Sequence, residues 1–115
     1  MTITVFTPTY NRGHILPKLY ESLKKQTCMN FEWLIIDDGS TDDTSEVVKT
    51  FKTDKFPILY YYKKNGGKHT AMNYSHPYIN GDLLFIVDSD DVLTNDAIET
   101  IAKDWLRFGK DDKIA

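Results

Sequence analysis

The stretch Leu83-Leu84-Phe85-Ile86-Val87-Asp88-Ser89-Asp90-Asp91 runs five apolar residues straight into three carboxylates within four positions. An apolar run of that length without polar alternation reads as a strand covered on both faces, the habit of a central parallel strand. The acids at its end do not belong in a core. They are expected at the carboxyl edge of a sheet, where open α/β folds place their ligands. Carboxylates spaced Asp-x-Asp on a turn repel one another, so the arrangement costs free energy until something positive binds there, and a divalent metal is the expected counter-charge.

The same signature recurs upstream. Ile3 to Thr7 is β-branched and aromatic, a strand that Pro8 is expected to close because proline cannot donate to a ladder. After the turn Thr9-Tyr10-Asn11-Arg12-Gly13 the apolar period changes: Ile15, Leu19 and Leu23 lie on one line of a helix, with Pro17 in its first turn and its start near His14. Glu32 to Asp38 forms the second strand, with the acid pair Asp37-Asp38 at its exit before Gly39. Ser40 and Thr41 then read as caps, with Asp42 and Asp43 at the positive end of the dipole, of a helix that buries Val47, Val48 and Phe51. Pro57 to Tyr62 is the third strand. It leads through Asn65-Gly66-Gly67-Lys68-His69-Thr70 into a helix carrying Ala71, Met72 and Tyr74 that ends before Pro77. Beyond the opening stretch, Thr94 or Asn95 caps a last helix with Ile98, Ile101, Ala102, Trp105 and Leu106 on one side, stopping near Gly109.

Strict β-α alternation without internal repeat or linker predicts one α/β domain over residues 1–115, a Rossmann-like parallel sheet with helices on both faces. Strand exits of a parallel sheet share one edge. Pro8 to Asn11, Asp37 to Ser40, Asn65 to Lys68 and Asp88 to Asp91 therefore converge on one crevice.

Composition narrows the function. A chain of 115 residues, 41% apolar and 13% aromatic, has enough apolar matter for one core. Fourteen basic against seventeen acidic residues, net −3, leave no electrostatic footprint for nucleic acid, so an anionic ligand must be held locally. The single cysteine, Cys28, excludes an internal disulfide and fits a reducing compartment. Neither a signal sequence nor a membrane span is evident, so the expected location is cytoplasmic, and the sequon Asn73-Tyr74-Ser75 reads as chance.

Taken alone, each loop has a plainer reading. Asp37 and Asp38 can be a turn and a helix cap, and Gly66-Gly67 can be only a turn. The latter is not a Walker A loop, because Tyr62 stands where its first glycine is required and His69 follows Lys68. His14, His69 and His76 lack metal-ligand spacing, and Trp33 and Trp105 are core candidates. A signalling receiver domain has a similar length and sheet, but it needs its acid pair after the first strand and a lone aspartate after the third, where this chain has Pro8-Thr9-Tyr10 and Tyr62-Lys63-Lys64.

Jointly, the strand exits Val5-Phe6-Thr7-Pro8-Thr9-Tyr10-Asn11, Ile36-Asp37-Asp38-Gly39-Ser40-Thr41-Asp42 and Val87-Asp88-Ser89-Asp90-Asp91, with Asn65-Gly66-Gly67-Lys68-His69-Thr70-Ala71-Met72-Asn73 between them, resemble the family 2 glycosyltransferases of the GT-A fold. The resemblance implies a nucleotide diphosphate sugar as donor, UDP-linked by analogy. Pro8, Thr9 and Tyr10 would line base and ribose, Asp38 would accept a hydrogen bond from the base, and Asp88 and Ser89 would meet the ribose or sugar. Asp90 would ligate Mg²⁺ or Mn²⁺ bridging the phosphates, and Lys68 would face the base or the diphosphate. Simple electrostatics agrees: a diphosphate near Asp88 and Asp90 is repelled by about 4 kcal/mol per unit-charge pair at about 4 Å in an effective dielectric near 20, and a dication reverses the sign.

The resemblance also implies a carbohydrate or lipid-linked acceptor, polysaccharide or glycolipid synthesis, and a general base in the second half of the domain, beyond Ala115. The chain is accordingly expected to be the nucleotide-binding half of a truncated GT-A domain, with an open sheet edge prone to self-association and any membrane attachment lying further along. A non-catalytic module of the same fold, binding a nucleotide or another protein, is the competing reading.

Overall fold

Among the described residues, four parallel strands in the order β3-β2-β1-β4 form the sheet. The structure is a computed structural model and describes residues 2–66, 75, 78, 81 and 83–108. Along the chain, β1 (Ile3–Thr9), α1 (Leu16–Lys24), β2 (Phe31–Asp37), α2 (Thr44–Lys49), β3 (Ile58–Tyr62) and β4 (Leu83–Ile86) are followed by α3 (Ala97–Phe108). The helix expected after Lys68 lies almost wholly outside the described residues, although Ser75 is helical and fully buried.

The alternation of side chains along each strand divides the core into two layers. Ile3, Val5, Phe31, Trp33, Ile35 and Leu83 face one way and meet Leu16, Leu19 and Leu23 of α1, Val48 of α2 and Ile98 of α3. All three described helices thus cover the same face. Each fully buried aliphatic or aromatic side chain there contributes about 1.5–3 kcal/mol over leaving it in water. Tyr20 of α1 and Phe51 after α2 stack at 4.3 Å, and Phe51 lies 5.7 Å from the Trp33 ring. The indole N–H of Trp33 donates to Thr7 Oγ1 at 2.9 Å, so the largest core side chain buries no unmet donor. The opposite layer holds Phe6, Leu34 and Ile36 with Leu59, Tyr61, Tyr78 and Leu84. Trp33 is core as expected; the Trp105 side chain lies outside the described residues.

Several expectations need correction. Pro8 does not end β1, which pairs with β2 through Pro8↔Ile36 and Thr9↔Asp37. Phe6 O accepts from Val87 on the β4 side and Thr9 O from Asp38 on the β2 side, so Pro8, in step with Phe6, directs its missing donor toward β4. The β1–β4 ladder has already stopped at Phe6↔Ile86, and no hydrogen bond is lost. Nor is β4 central: among the described residues it is an edge strand paired only with β1, and Ile86 is 47% exposed. Neither Ser40 nor Thr41 caps α2. Its N-cap is Asp43, because Ser40 and Thr41 are engaged with Asn11 instead. As expected, Pro17 lies in the opening turn of the first helix, which begins at Leu16, two residues after His14, with Ile15 at the N-cap.

Candidate functional site

The strand order reverses at β1, whose neighbours are β2 on one side and β4 on the other. Beyond the carboxyl ends of these strands lies an open cleft of about 540 Å³, lined by Pro8–Arg12, Asp38 and Asp88–Asp90. This is the place that an open α/β sheet reserves for ligands.

The wall made by the β1 exit is fixed by Asn11, which takes a left-handed backbone with φ +53°. Asparagine tolerates that region better than most residues. Its Oδ1 accepts from the backbone N–H of Thr41 at 2.8 Å and of Asp42 at 3.2 Å, and its own N–H donates to Ser40 Oγ at 2.8 Å. The β1 and β2 exits are thereby tied together. Tyr10, next to it, is 44% exposed and lines the cleft. Thr9 is 3% exposed, and its hydroxyl is a buried polar atom without a partner among the described residues. Buried hydroxyls nearly always find partners, and this one borders the cleft.

The acid pair of β2 divides its labour. Asp37 is fully buried; it accepts from Ser40 N–H at 2.8 Å and from the Tyr60 hydroxyl, so it builds the turn and does not line the cleft. Burial, with the Asp37 carboxylate alongside, holds the Tyr60 phenol far above its usual range. Asp38 does line the cleft. Its Oδ1 receives Lys63 Nζ at 2.6 Å and Gly66 N–H at 3.0 Å, and its carbonyl accepts from Asn65 Nδ2 at 2.9 Å. Gly39, which follows the pair, has φ +82°, and a Cβ there would stand 2.7 Å from Asn65 N, so glycine is required by both conformation and space. Asp42 supports the turn into α2. Burial raises its carboxyl, but the bonds from the Thr44 hydroxyl and the Thr44 and Gly13 amides outweigh this and leave it below the ordinary value.

The β4 exit brings Asp88, Asp90 and Asp91 together, with one carboxylate oxygen from each inside a 4.8 Å cluster. Asp91 N–H donates to Asp88 O at 3.0 Å, and Asp91 Oδ2 accepts from Asp88 N–H at 3.2 Å, folding the loop into a tight turn. An all-carboxylate set of hard oxygens suits Mg²⁺ or Mn²⁺. Ser89 is buried at the cleft wall.

Thus Pro8, Thr9, Tyr10, Asp38, Asp88, Ser89 and Asp90 meet in one cleft, while Lys68 and most of its loop lie outside the described residues. His14 is exposed and has no place in the cleft, and His69 and His76 fall outside the description. Sequence reasoning brought Asn11 to the crevice without saying what it does there, and gave no role to Arg12 or Lys63. Arg12 lines the cleft, and Lys63 reaches Asp38 across 25 residues of sequence, a pairing that no local pattern announces.

Comparison with known proteins identifies the family and the fold. The profile described as glycosyl transferase family 2 matches residues 4–114. Glycosyltransferase GlyA of Streptococcus pneumoniae is 36% identical over 109 residues, 95% of this chain and 16% of that protein. Chondroitin synthase of Pasteurella multocida is 31% identical over 105 residues, 91% of this chain and 11% of its own length. The crystal structure of Staphylococcus aureus TarS 1–349 in complex with UDP-GlcNAc superposes with a TM-score of 0.86 at 28% identity, covering 95% of this chain and 32% of that one. The chain belongs to glycosyl transferase family 2 and has the GT-A arrangement of sheet and helices, and it spans about a sixth of the length of the first curated relatives it matches.

Proposed function

We propose that this family 2 chain forms the donor-binding part of a glycosyltransferase that moves a sugar from a nucleotide diphosphate, UDP in our reading, to an acceptor hydroxyl with the help of a divalent metal. The observation that carries the proposal is the meeting, in one cleft at the strand reversal, of the β1 exit, Asp38 and the carboxylates of the β4 exit. The Thr9 hydroxyl, without a partner among the described residues, supports it, since a ligand group in the cleft would satisfy it. UDP is favoured because the superposed TarS was solved with UDP-GlcNAc. Synthesis of a polysaccharide is favoured by the likeness to chondroitin synthase.

In this reading the exposed Tyr10 ring offers a face on which a base stacks, and Asp38 accepts the base's N–H. Pro8 and Thr9 wall the ribose, and Asp88 and Ser89 meet the ribose or sugar. Asp90, with Asp88 and Asp91 beside it, would hold Mg²⁺ or Mn²⁺. Bound there, the ion supplies Lewis-acid stabilisation of the charge that develops on the leaving diphosphate. Apart from that ion, the chain's own residues bind and orient the donor, and no residue among those described is assigned as the base that activates the acceptor. The donor-half reading also gives the outer edge of β4 to further strands of the same domain.

Calorimetric titration of UDP in the presence of Mn²⁺, then of chelator, then with Asp90→Ala, tests the proposal. Binding that weakens at least tenfold with chelator and in the variant is expected. No binding of UDP by the folded wild-type chain would refute the nucleotide reading, and binding indifferent to both changes would refute the metal.

A further inference from the structure

We infer that Lys63, which does not touch the cleft, is the positioning residue that sets its preference for a base carrying an N–H opposite Asp38. The inference rests on the proposed role of Asp38 as acceptor from the base.

Lys63 follows β3 directly, and its backbone N–H donates to Asp37 O at 2.8 Å, which continues the β2–β3 ladder past the end of the strand. Its side chain is therefore delivered from a fixed point. It turns toward the β2 exit and places Nζ 2.6 Å from Asp38 Oδ1, and the same ammonium donates to Lys64 O at 2.6 Å. The pair is shielded, with the lysine side chain 11% and the aspartate 8% exposed. An ammonium inside so poorly solvated a pair keeps most of its Coulomb attraction. Gly66 N–H bonds the same Oδ1 at 3.0 Å. Two donors converging on one oxygen from the β3 side fix the rotation of the carboxylate about its Cβ–Cγ axis, and with it the way Asp38 presents to the cleft.

Among the described residues Lys63 is absent from the cleft lining and is placed to act on a ligand through Asp38. A uracil ring offers an N3–H donor to a carboxylate, whereas cytosine offers an unprotonated N3, acceptor against acceptor. The ratio of UDP to CDP affinity therefore reads the orientation and charge of Asp38, while a general loosening of the fold would weaken both nucleotides together.

The test is titration of UDP and CDP with Mn²⁺ into the wild-type chain, Lys63→Met and Lys63→Arg. Wild type is expected to prefer UDP by about tenfold or more, the discrimination carried by one hydrogen bond to a charged group. Lys63→Met should bring the ratio to within about threefold of unity, and Lys63→Arg, which keeps the charge, should restore most of it. Should Lys63→Met not fold, Lys63→Leu, which likewise has neither donor nor charge, is read the same way. A wild-type ratio retained by the folded Met or Leu variant overturns the inference and leaves the nucleotide site standing. Failure of wild type to bind UDP, or equal affinity for UDP and CDP in wild type, overturns the reading of Asp38 and this inference with it.

Discussion

Asn11 is the best place to perturb the architecture of the cleft, because its contribution separates into two parts. Its Oδ1 holds the N–H groups of Thr41 and Asp42 at 2.8 and 3.2 Å, and its backbone sits at φ +53°. Both donors lie on exposed residues, where water replaces a lost partner, so the pair is worth about 1–2 kcal/mol, at the low end of about 0.5–1.5 per bond. Alanine adds the left-handed penalty of about 1–2 kcal/mol. Asn11→Ala should thus lose about 2–4 kcal/mol, a large share of the 5–15 kcal/mol typical of a domain. Glycine escapes the left-handed penalty but concedes about 0.4–1 kcal/mol of unfolded-state entropy. Asn11→Gly should therefore fall between wild type and Asn11→Ala, less stable than wild type by about 1.5–3 kcal/mol. Asn11→Asp keeps an acceptor and a tolerance for the left-handed region, and should stay within about 1 kcal/mol of wild type. Urea denaturation followed by circular dichroism, with equal m-values, gives all three differences. An Asn11→Ala midpoint indistinguishable from wild type would refute the clamp between the β1 and β2 exits, and an alanine variant more stable than the glycine one would refute the backbone component.

Further expectations follow from the surrounding network. Gly39→Ala places a Cβ 2.7 Å from Asn65 N at φ +82°, so it should cost at least about 1–2 kcal/mol and displace the segment that bonds Asp38, read as a lower thermal midpoint together with weaker UDP binding. Tyr60→Phe removes a donor from the fully buried Asp37 and should lose about 1–3 kcal/mol at neutral pH. Because the folded phenol titrates far above its unfolded value of 10.0, that contribution is fully present below pH 10.0 and fades as pH rises toward the folded value, so denaturation curves of wild type and variant should converge only on the alkaline side. Asp42, depressed below 3.8, contributes stability that is present above that value and lost as pH falls through the lower folded one. Asp42→Asn should cost no more than about 1 kcal/mol at neutral pH, as suits an exposed and screened group, and the difference should vanish in acid.

Much of this was legible in the residues themselves. Apolar runs of strand length alternating with helical periods are local properties, so the parallel α/β class and most element positions followed from them to within a few residues, and acids after apolar runs marked the ligand edge. The errors lie where a residue's meaning depends on a neighbour distant in the chain. Pro8 continues β1 because the ladder on its donor side has already ended, and Ser40 and Thr41 forgo capping because Asn11, about thirty residues earlier, takes them. Leu83 to Val87 reads as doubly covered because apolar content reports burial potential and not strand order, and order places β4 at the edge of the described sheet. The sequence by itself thus determined which elements form and which edge carries the acids, since periodicity and charge are written residue by residue. Only the tertiary structure decided that Asp37 is buried against Tyr60 while Asp38 faces the cleft with Lys63 behind it, because those placements arise from pairings of residues more than twenty positions apart, fixed when the strands come into register.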